Sequence, residues 1–231
     1  DTQTVEYISG FHYEGIEKEG LVPRDEKMRV WIPHNSWQRE LNWKCYTLPE
    51  LGMDQVQPER IQRSSGMIRV SNTGNWSAKE YLPMGYLENI CVGTGLFWQI
   101  EHNGSWHWEI GDQNGHLYLA VSGPNEIYSH WFKHLAPGEA FMSVPVAVGV
   151  TGAPQGTCGG LNQAMDALTA YRRQIRRKNE DNQKLPVIFN DYMNCLFGDP
   201  TTEKELPLID AAAKAGCEYF CIDAGWYADG D

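Results

Sequence analysis

The hydrophobic periodicity of this 231-residue chain changes once, near Gly160, and that change constrains the fold more than any other feature. Before it, short apolar and aromatic runs alternate with turn formers. Leu96-Phe97-Trp98-Gln99-Ile100-Glu101 and Ser105-Trp106-His107-Trp108-Glu109-Ile110 flank His102-Asn103-Gly104. Asn-Gly between such runs predicts a tight hairpin, because both central turn residues need positive φ. Asn114-Gly115, ahead of His116-Leu117-Tyr118-Leu119-Ala120-Val121, repeats the signal, and Ala136-Pro137-Gly138-Glu139 marks a turn before a strand over residues 141–150. Short strands joined by tight turns predict an antiparallel β-sandwich. Trp31, Trp37 and Trp43 lie among polar residues without clean periodicity, so the first 60 residues read as strands or as long loops edging the sandwich.

After Gly160, Leu161, Met165, Leu168, Tyr171 and Ile175 recur at helical spacing, giving an amphipathic helix of roughly five turns. Polar residues 178–184 break it. Leu185-Pro186-Val187-Ile188-Phe189-Asn190-Asp191 then reads as a strand, and a helix follows with Thr202 and Glu205 as a capping box and Gly216 just past its end. Pro207 sits late for a first turn, so a helix start nearer to it is the alternative. Glu218-Tyr219-Phe220-Cys221-Ile222-Asp223 is a second short strand. A strand-helix-strand unit builds parallel sheet, where function gathers at the carboxyl ends of the strands. Asn190, Asp191 and Asp223 fall at those two ends.

The candidate site is therefore Asn190, Asp191, Asp223 and Trp226, all in the role of substrate contacts. A strand-end Asp can accept hydrogen bonds from two sugar hydroxyls, Gly225 permits a sharp turn below the ligand, and Trp226 offers a flat face to the C–H side of a pyranose with its N–H free to donate. The bland reading is a buried Asp capping a loop beside a core Trp.

Other patterns carry less. Thirty acidic against 19 basic residues leave a net charge of -11, which disfavours nucleic acid and anionic membranes as partners. The one basic run, Arg172, Arg173, Arg176, Arg177 and Lys178, reads as a solvated helix face. No stretch approaches the ~18 consecutive apolar residues of a membrane span. Six cysteines without a CxxC pair are too few for a disulfide scaffold, and with no visible signal peptide the expected compartment is the cytoplasm. Asn75-Trp76-Ser77 and Asn103-Gly104-Ser105 match the glycosylation acceptor pattern but mean little without secretion. His130 and His134 have i, i+4 spacing in a region read as β, so no metal site is expected. His107 should face away from Trp106 and Trp108. The stretch 156–160 lacks the Lys and Ser/Thr of a phosphate loop, and no Gly-x-Ser-x-Gly elbow occurs.

Residues 220–227, preceded by Thr201-Thr202-Glu203 through Ala215-Gly216, resemble the second-strand region of glycoside hydrolase family 36, the α-galactosidases. Leu135-Ala136-Pro137-Gly138-Glu139 with Pro145, and the helix through Tyr171-Arg172-Arg173, are similar to that family's passage from sandwich to barrel. The resemblance covers roughly residues 85–231 and is strongest over 185–227. It implies a sandwich domain over 1–155, a linker helix over 156–184, and the start of a (β/α)8 barrel over 185–231, too short to close. It also implies a retaining mechanism with one aspartate as nucleophile and another as acid and base, both on later strands, so no catalytic residue is expected in this chain and the chain alone is expected to be inactive. No cofactor is implied. The implied partner is an α-galactoside, and family resemblance implies a homo-oligomer for the intact protein. The chain starts at Asp1 and stops at Asp231 just after a motif, and reads as an internal piece.

Two departures bear on the sugar. The family shows two consecutive acids where this chain has Asp223-Ala224, and Asn-x-Trp where it has Asn190-Asp191-Tyr192. The Ala224 side chain accepts no hydrogen bond, and Tyr192, which the resemblance implies as a further substrate contact, stacks less extensively than Trp. Terminal galactose is the expected sugar, with an N-acetylated or otherwise altered one as the alternative. The competing readings are a non-catalytic carbohydrate-binding sandwich and a galactosyl-transferring enzyme of the same fold.

Overall fold

The computed structural model describes residues 2–15, 24–53, 66–113, 116–152 and 160–227. The chain divides into two compact units, Asp1–Gln174 and Ile175–Asp231.

The first unit carries eleven strands among the described residues: β1 (Gln3–Val5), β2 (Ser9–Glu14), β3 (Met28–His34), β4 (Asn42–Thr47), β5 (Met67–Asn72), β6 (Met84–Asn89), β7 (Thr94–Ile100), β8 (Trp106–Gln113), β9 (His116–Ser122), β10 (Lys133–Leu135) and β11 (Val146–Gly152). Its helices are the short α1 (Arg24–Lys27) and α2 (Glu126–Ser129) and the long α3 (Gly160–Ile175). Five strands form one sheet in the order β11-β7-β6-β3-β4, four form another in the order β2-β9-β8-β5, and β1 pairs with β10. Every pairing in these sheets is antiparallel.

Strand alternation explains the core. Val30 and Ile32 of β3, Leu96, Trp98 and Ile100 of β7, Trp106, Trp108 and Ile110 of β8, and Leu117, Leu119 and Val121 of β9 join one buried cluster, so both sheets contribute to it. Trp98 and Trp108 meet edge to face, with centroids 5.2 Å apart and planes at 74°. Gly85, paired across from Trp98, lies under that indole: a Cβ there would come within 2.2 Å of the ring.

The other face of the five-stranded sheet packs on α3. Met84, Tyr86 and Phe97 meet Ala164 and Leu168 in a second cluster, with Leu161, Met165 and Tyr171 packed against it. The residues expected on the apolar stripe of this helix thus do face the sheet, except Ile175 at its end, which is exposed. Glu88 of β6 anchors the first residue of α3: its buried carboxylate accepts from Trp31 Nε1 at 2.8 Å and from the Gly160 N–H, and burial holds it above the usual carboxylate range. Tyr86 bonds Thr151 Oγ1 at 2.8 Å, and burial pushes its phenol to about 12.

The expected hairpin at His102-Asn103-Gly104 does not form. β7 pairs with β6 and β11, whereas β8 pairs with β5 and β9, so this turn carries the chain from one sheet to the other. Neither Asn103 nor Gly104 has positive φ. A hairpin would set Trp98 and Trp108 side by side on one sheet; crossing lets them meet across the core. The second signal fares differently. β8 and β9 pair out to Gln113↔His116, and the Asn114-Gly115 turn itself lies outside the described residues. The 136–139 turn is closed by Glu139 N–H to Ala136 C=O, but the strand after it spans only Val146–Gly152. Most of the 156–160 stretch lies outside the described residues.

The second unit contains α4 (Asp181–Lys184), β12 (Ile188–Asn190), α5 (Thr202–Lys214) and β13 (Tyr219–Cys221). β12 and β13 pair in parallel, Phe189 beside Phe220, as a strand-helix-strand unit requires. The α5 N-cap is Thr201, one residue before the expected one, and no side chain caps it. Pro207 lies inside the helix, and Gly216 follows its end at φ 87°.

Because Trp98 fills the shared core, Trp98→Ala should cost the first unit about 3–5 kcal/mol in urea unfolding. Gly85→Ala, which drives a methyl into that indole, should also destabilise it; a loss below about 1 kcal/mol for Trp98→Ala would contradict the packing described.

Candidate functional site

The carboxyl ends of β12 and β13 bring the sequence candidates together. Asn190, the last residue of β12, donates from Nδ2 to Asp223 Oδ2 at 2.7 Å, and its Oδ1 accepts from the Tyr192 N–H at 2.9 Å. One side chain therefore ties the turn after the first strand to the carboxylate after the second. Asp191 adds the reverse tie, its Oδ1 accepting from the Asp223 N–H at 2.9 Å while its own N–H donates to Cys221 C=O at 3.2 Å.

Exposure separates these residues. Asn190, Asp223 and Trp226 are exposed and Tyr192 is half-buried, whereas Asp191 is only 1% exposed. Trp226 is 66% exposed and its ring meets that of Tyr227 edge to face, leaving surface for a ligand. Its N–H is not free as expected: Nε1 donates to Asp223 C=O at 3.1 Å, because the tight turn folds the indole back over its own loop. That bond fixes the ring and removes one donor from the site.

The turn itself depends on Gly225. Its φ is 87°, and a Cβ there would fall within 1.9 Å of the Gly198 carbonyl oxygen. The loops after β12 and β13 thus meet backbone to backbone, a contact that tolerates no side chain.

One residue of this site escapes the sequence reading. Glu205, expected to cap α5, turns inward instead: it is 6% exposed and its carboxyl meets that of Asp191. Burial first, then the neighbouring carboxyl of Asp191, holds Glu205 above the usual carboxylate range. Its place on the helix carried the signal, since Glu205 and Ala212, seven residues apart, are the buried positions of α5.

Other constellations do less. Ser71 Oγ bonds His107 Nδ1 at 2.7 Å, and His107 Nε2 bonds Glu109 Oε2 at 2.9 Å, in the order of a nucleophile, base and orienting acid. His107 does face away from the tryptophans, but it is 0% exposed under the stacked ring of Tyr128. A reacting carbonyl cannot reach it. The network instead satisfies polar groups on the outer face of the four-stranded sheet, and Glu109, bonded to His107 and Tyr118, is held below the usual carboxylate range chiefly by the His107 bond. His130 ends α2 with a left-handed backbone and His134 lies in β10, bonded to Thr4, so they share no helix face. Among the described residues no His/Cys/Asp/Glu group suits a metal ion, and no helix is long and apolar enough to cross a membrane. Cys91, Cys195, Cys217 and Cys221 form no disulfide.

No protein-family model matches the chain. Among curated proteins it is 26% identical over 199 residues to α-galactosidase 1 of Pediococcus pentosaceus and 24% identical over 196 residues to α-galactosidase Mel36A of Lactobacillus acidophilus. Each match covers 82% of this chain and 25% of the relative, so the chain spans about a quarter of the length of the curated relatives it matches. The crystal structure of the family 36 α-galactosidase AgaA from Geobacillus stearothermophilus is similar with a TM-score of 0.67 and 17% identity, over 94% of this chain and 26% of that one. The α-galactosidase from Lactobacillus brevis gives 0.65 and 16% over 94% and 26%, and the galactosidase domain of the α-galactosidase-sucrose kinase AgaSK gives 0.63 and 16% over 98% and 28%. At those identities the solved structures establish the fold. Over most of its length the chain is thus similar to curated α-galactosidases, and its fold is that of a solved family 36 α-galactosidase.

Gly225→Ala should displace the 223–226 loop, since an L-residue at that φ costs about 1–2 kcal/mol before the clash with Gly198 is counted. The readout is the NMR shift of the Asp223 amide and the Trp226 indole N–H; an unchanged pair would contradict the close approach.

Proposed function

We propose that this chain supplies the sugar-gripping edge of a retaining α-galactosidase, and that hydrolysis needs residues beyond these 231. The carrying observation is the network at the two strand ends, which presents an exposed, pre-oriented carboxylate beside an exposed indole. A carboxylate offers about four lone-pair positions, and Asn190 uses one of those on Asp223, leaving room for hydroxyl donors. The Trp226 face takes the C–H side of the pyranose, Tyr192 borders the same end, and Asn190 and Asp191 hold the grip in shape.

In this reading the first unit is a β-sandwich over about 1–155, a helix links it onward, and 185–231 opens a (β/α)8 barrel. Its strand ends face the substrate, as is general for that architecture. The two aspartates of a double displacement would act from outside the chain. One would attack the anomeric carbon to form the glycosyl-enzyme. The other would first protonate the leaving oxygen and then deprotonate the attacking water. Ala224 makes the grip depend on Asp223 alone at this strand end, so one sugar hydroxyl must be met elsewhere.

A second reading places sugar on the first unit. A cleft of about 650 Å³ there is lined by His102, His130, Trp131 and Phe141, within the size range of small-molecule sites.

Galactose binding followed by calorimetry on the chain separates the two. Asp223→Ala and Trp226→Ala should each weaken binding about tenfold or more, as loss of a charge-assisted hydrogen bond or a stacking face would, while Trp131→Ala leaves it unchanged. An aryl α-galactoside should not be turned over by this chain. Turnover, or binding indifferent to Asp223 and Trp226, would refute the proposal.

A further inference from the structure

Beneath the exposed grip lies a buried pair of acids that the reading above leaves without a role. Asp191 and Glu205 are 1% and 6% exposed, and Asp191 Oδ2 with both Glu205 oxygens finds no N–H or O–H donor from any other described residue. The two carboxyls lie close enough to act on each other. Two carboxylates have only acceptors and repel each other, so a buried pair of this kind needs a proton on one of them. Asp191 already accepts the Asp223 N–H on Oδ1, and burial beside Asp191 raises Glu205, which makes Glu205 the proton's carrier.

We propose that Glu205 is a positioning residue for the sugar grip: a proton shared between Glu205 and Asp191 fixes Asp191, and Asp191 fixes the backbone of Asp223. The chain of contacts runs from helix α5, through the end of β12, to the loop after β13, and ends on the carboxylate that faces the ligand. Loss of that proton places two negative charges together in a dry site, where they must separate or draw in water. Asp191 moves, and the Asp223 amide loses its acceptor. The other charged groups nearby are engaged elsewhere. The Asp223 carboxylate is held by Asn190 Nδ2, and on Glu205's own helix Lys204 is drawn to Asp199. Asp191 is thus the charged group that acts on Glu205.

The direction of the pH response follows. Glu205 is raised above its ordinary value in the folded chain, so its contribution to order is complete in the acid range and is lost as pH rises through that raised value. The positioning role rests on the sugar-binding reading above, but the proton link itself does not.

The experiment follows the Glu205 side-chain carboxyl carbon and the Asp223 amide by NMR across pH in the chain, and measures galactose affinity over the same range. The expected result is one shared midpoint above that of an ordinary glutamate, with affinity falling along the same curve. Glu205→Gln, whose amide can donate to Asp191 but cannot titrate, should keep the Asp223 amide shift and affinity within about twofold of the original, with that limb of the pH profile gone. Glu205→Ala, which removes the carboxyl beside Asp191 and leaves a gap there, should move the amide and weaken galactose binding about tenfold. The proposal is overturned if Glu205 titrates like an exposed carboxyl, if the Asp223 amide ignores that titration, or if Glu205→Gln loses as much as Glu205→Ala. Should Glu205→Ala fail to fold, the titration of the unaltered chain still decides. A linked titration without galactose binding would uphold the proton link and sink the sugar reading alone.

Discussion

The hydrogen bond from the Asp223 N–H to the buried carboxylate of Asp191 is the contact on which the strand-end site depends. A two-stranded parallel pair of three residues each is a short scaffold, and its loops would be free to drift without cross-ties. Asp191 ties the second loop to the first through the Asp223 backbone, and Asn190 holds the Asp223 side chain. The close approach of Gly198 and Gly225 then lets both loops share one small volume. Trp226, with its N–H bound to the Asp223 carbonyl, completes a loop in which the two groups offered to a ligand are each fixed by a neighbour. Preorganisation of this kind reduces the ordering cost of binding.

The first unit is built on a different constraint. Its core needs aromatic side chains from two sheets to fill one volume, and the pairing of Trp98 with Trp108 sets where those sheets meet. Glycines on β6 and β7 admit the large rings: Gly85 lies under Trp98, and Gly95 leaves room for Tyr86. Glu88 ties the first residue of α3 to the outer face, so the helix is held by a polar contact at one end and by Ala164 and Leu168 along its length.

What could be read from the sequence was what local chemistry decides. The α3 stripe, the glycine after α5, the strand-helix-strand order and the gathering of Asn190, Tyr192, Asp223 and Trp226 at one end follow from spacing and turn residues. Non-local choices could not be read the same way. Asn103-Gly104 has the composition of a hairpin, yet whether a turn reverses within a sheet or crosses between sheets is settled by tryptophans on strands that do not pair with each other. Glu205 has capping-box spacing from Thr202, but the burial of its helix face outweighs that local role. Trp226 read as a free donor because the return of its indole to the Asp223 carbonyl depends on a backbone turn that spacing does not reveal.

The most direct test of the sugar-grip assignment is to map galactose onto the chain by amide and indole NMR shifts. Changes centred on Tyr192, Asp223 and Trp226, with Trp131 and Phe141 unmoved, are the predicted result. Changes confined to the Trp131 cleft, or to none of these residues at saturating sugar, would contradict it.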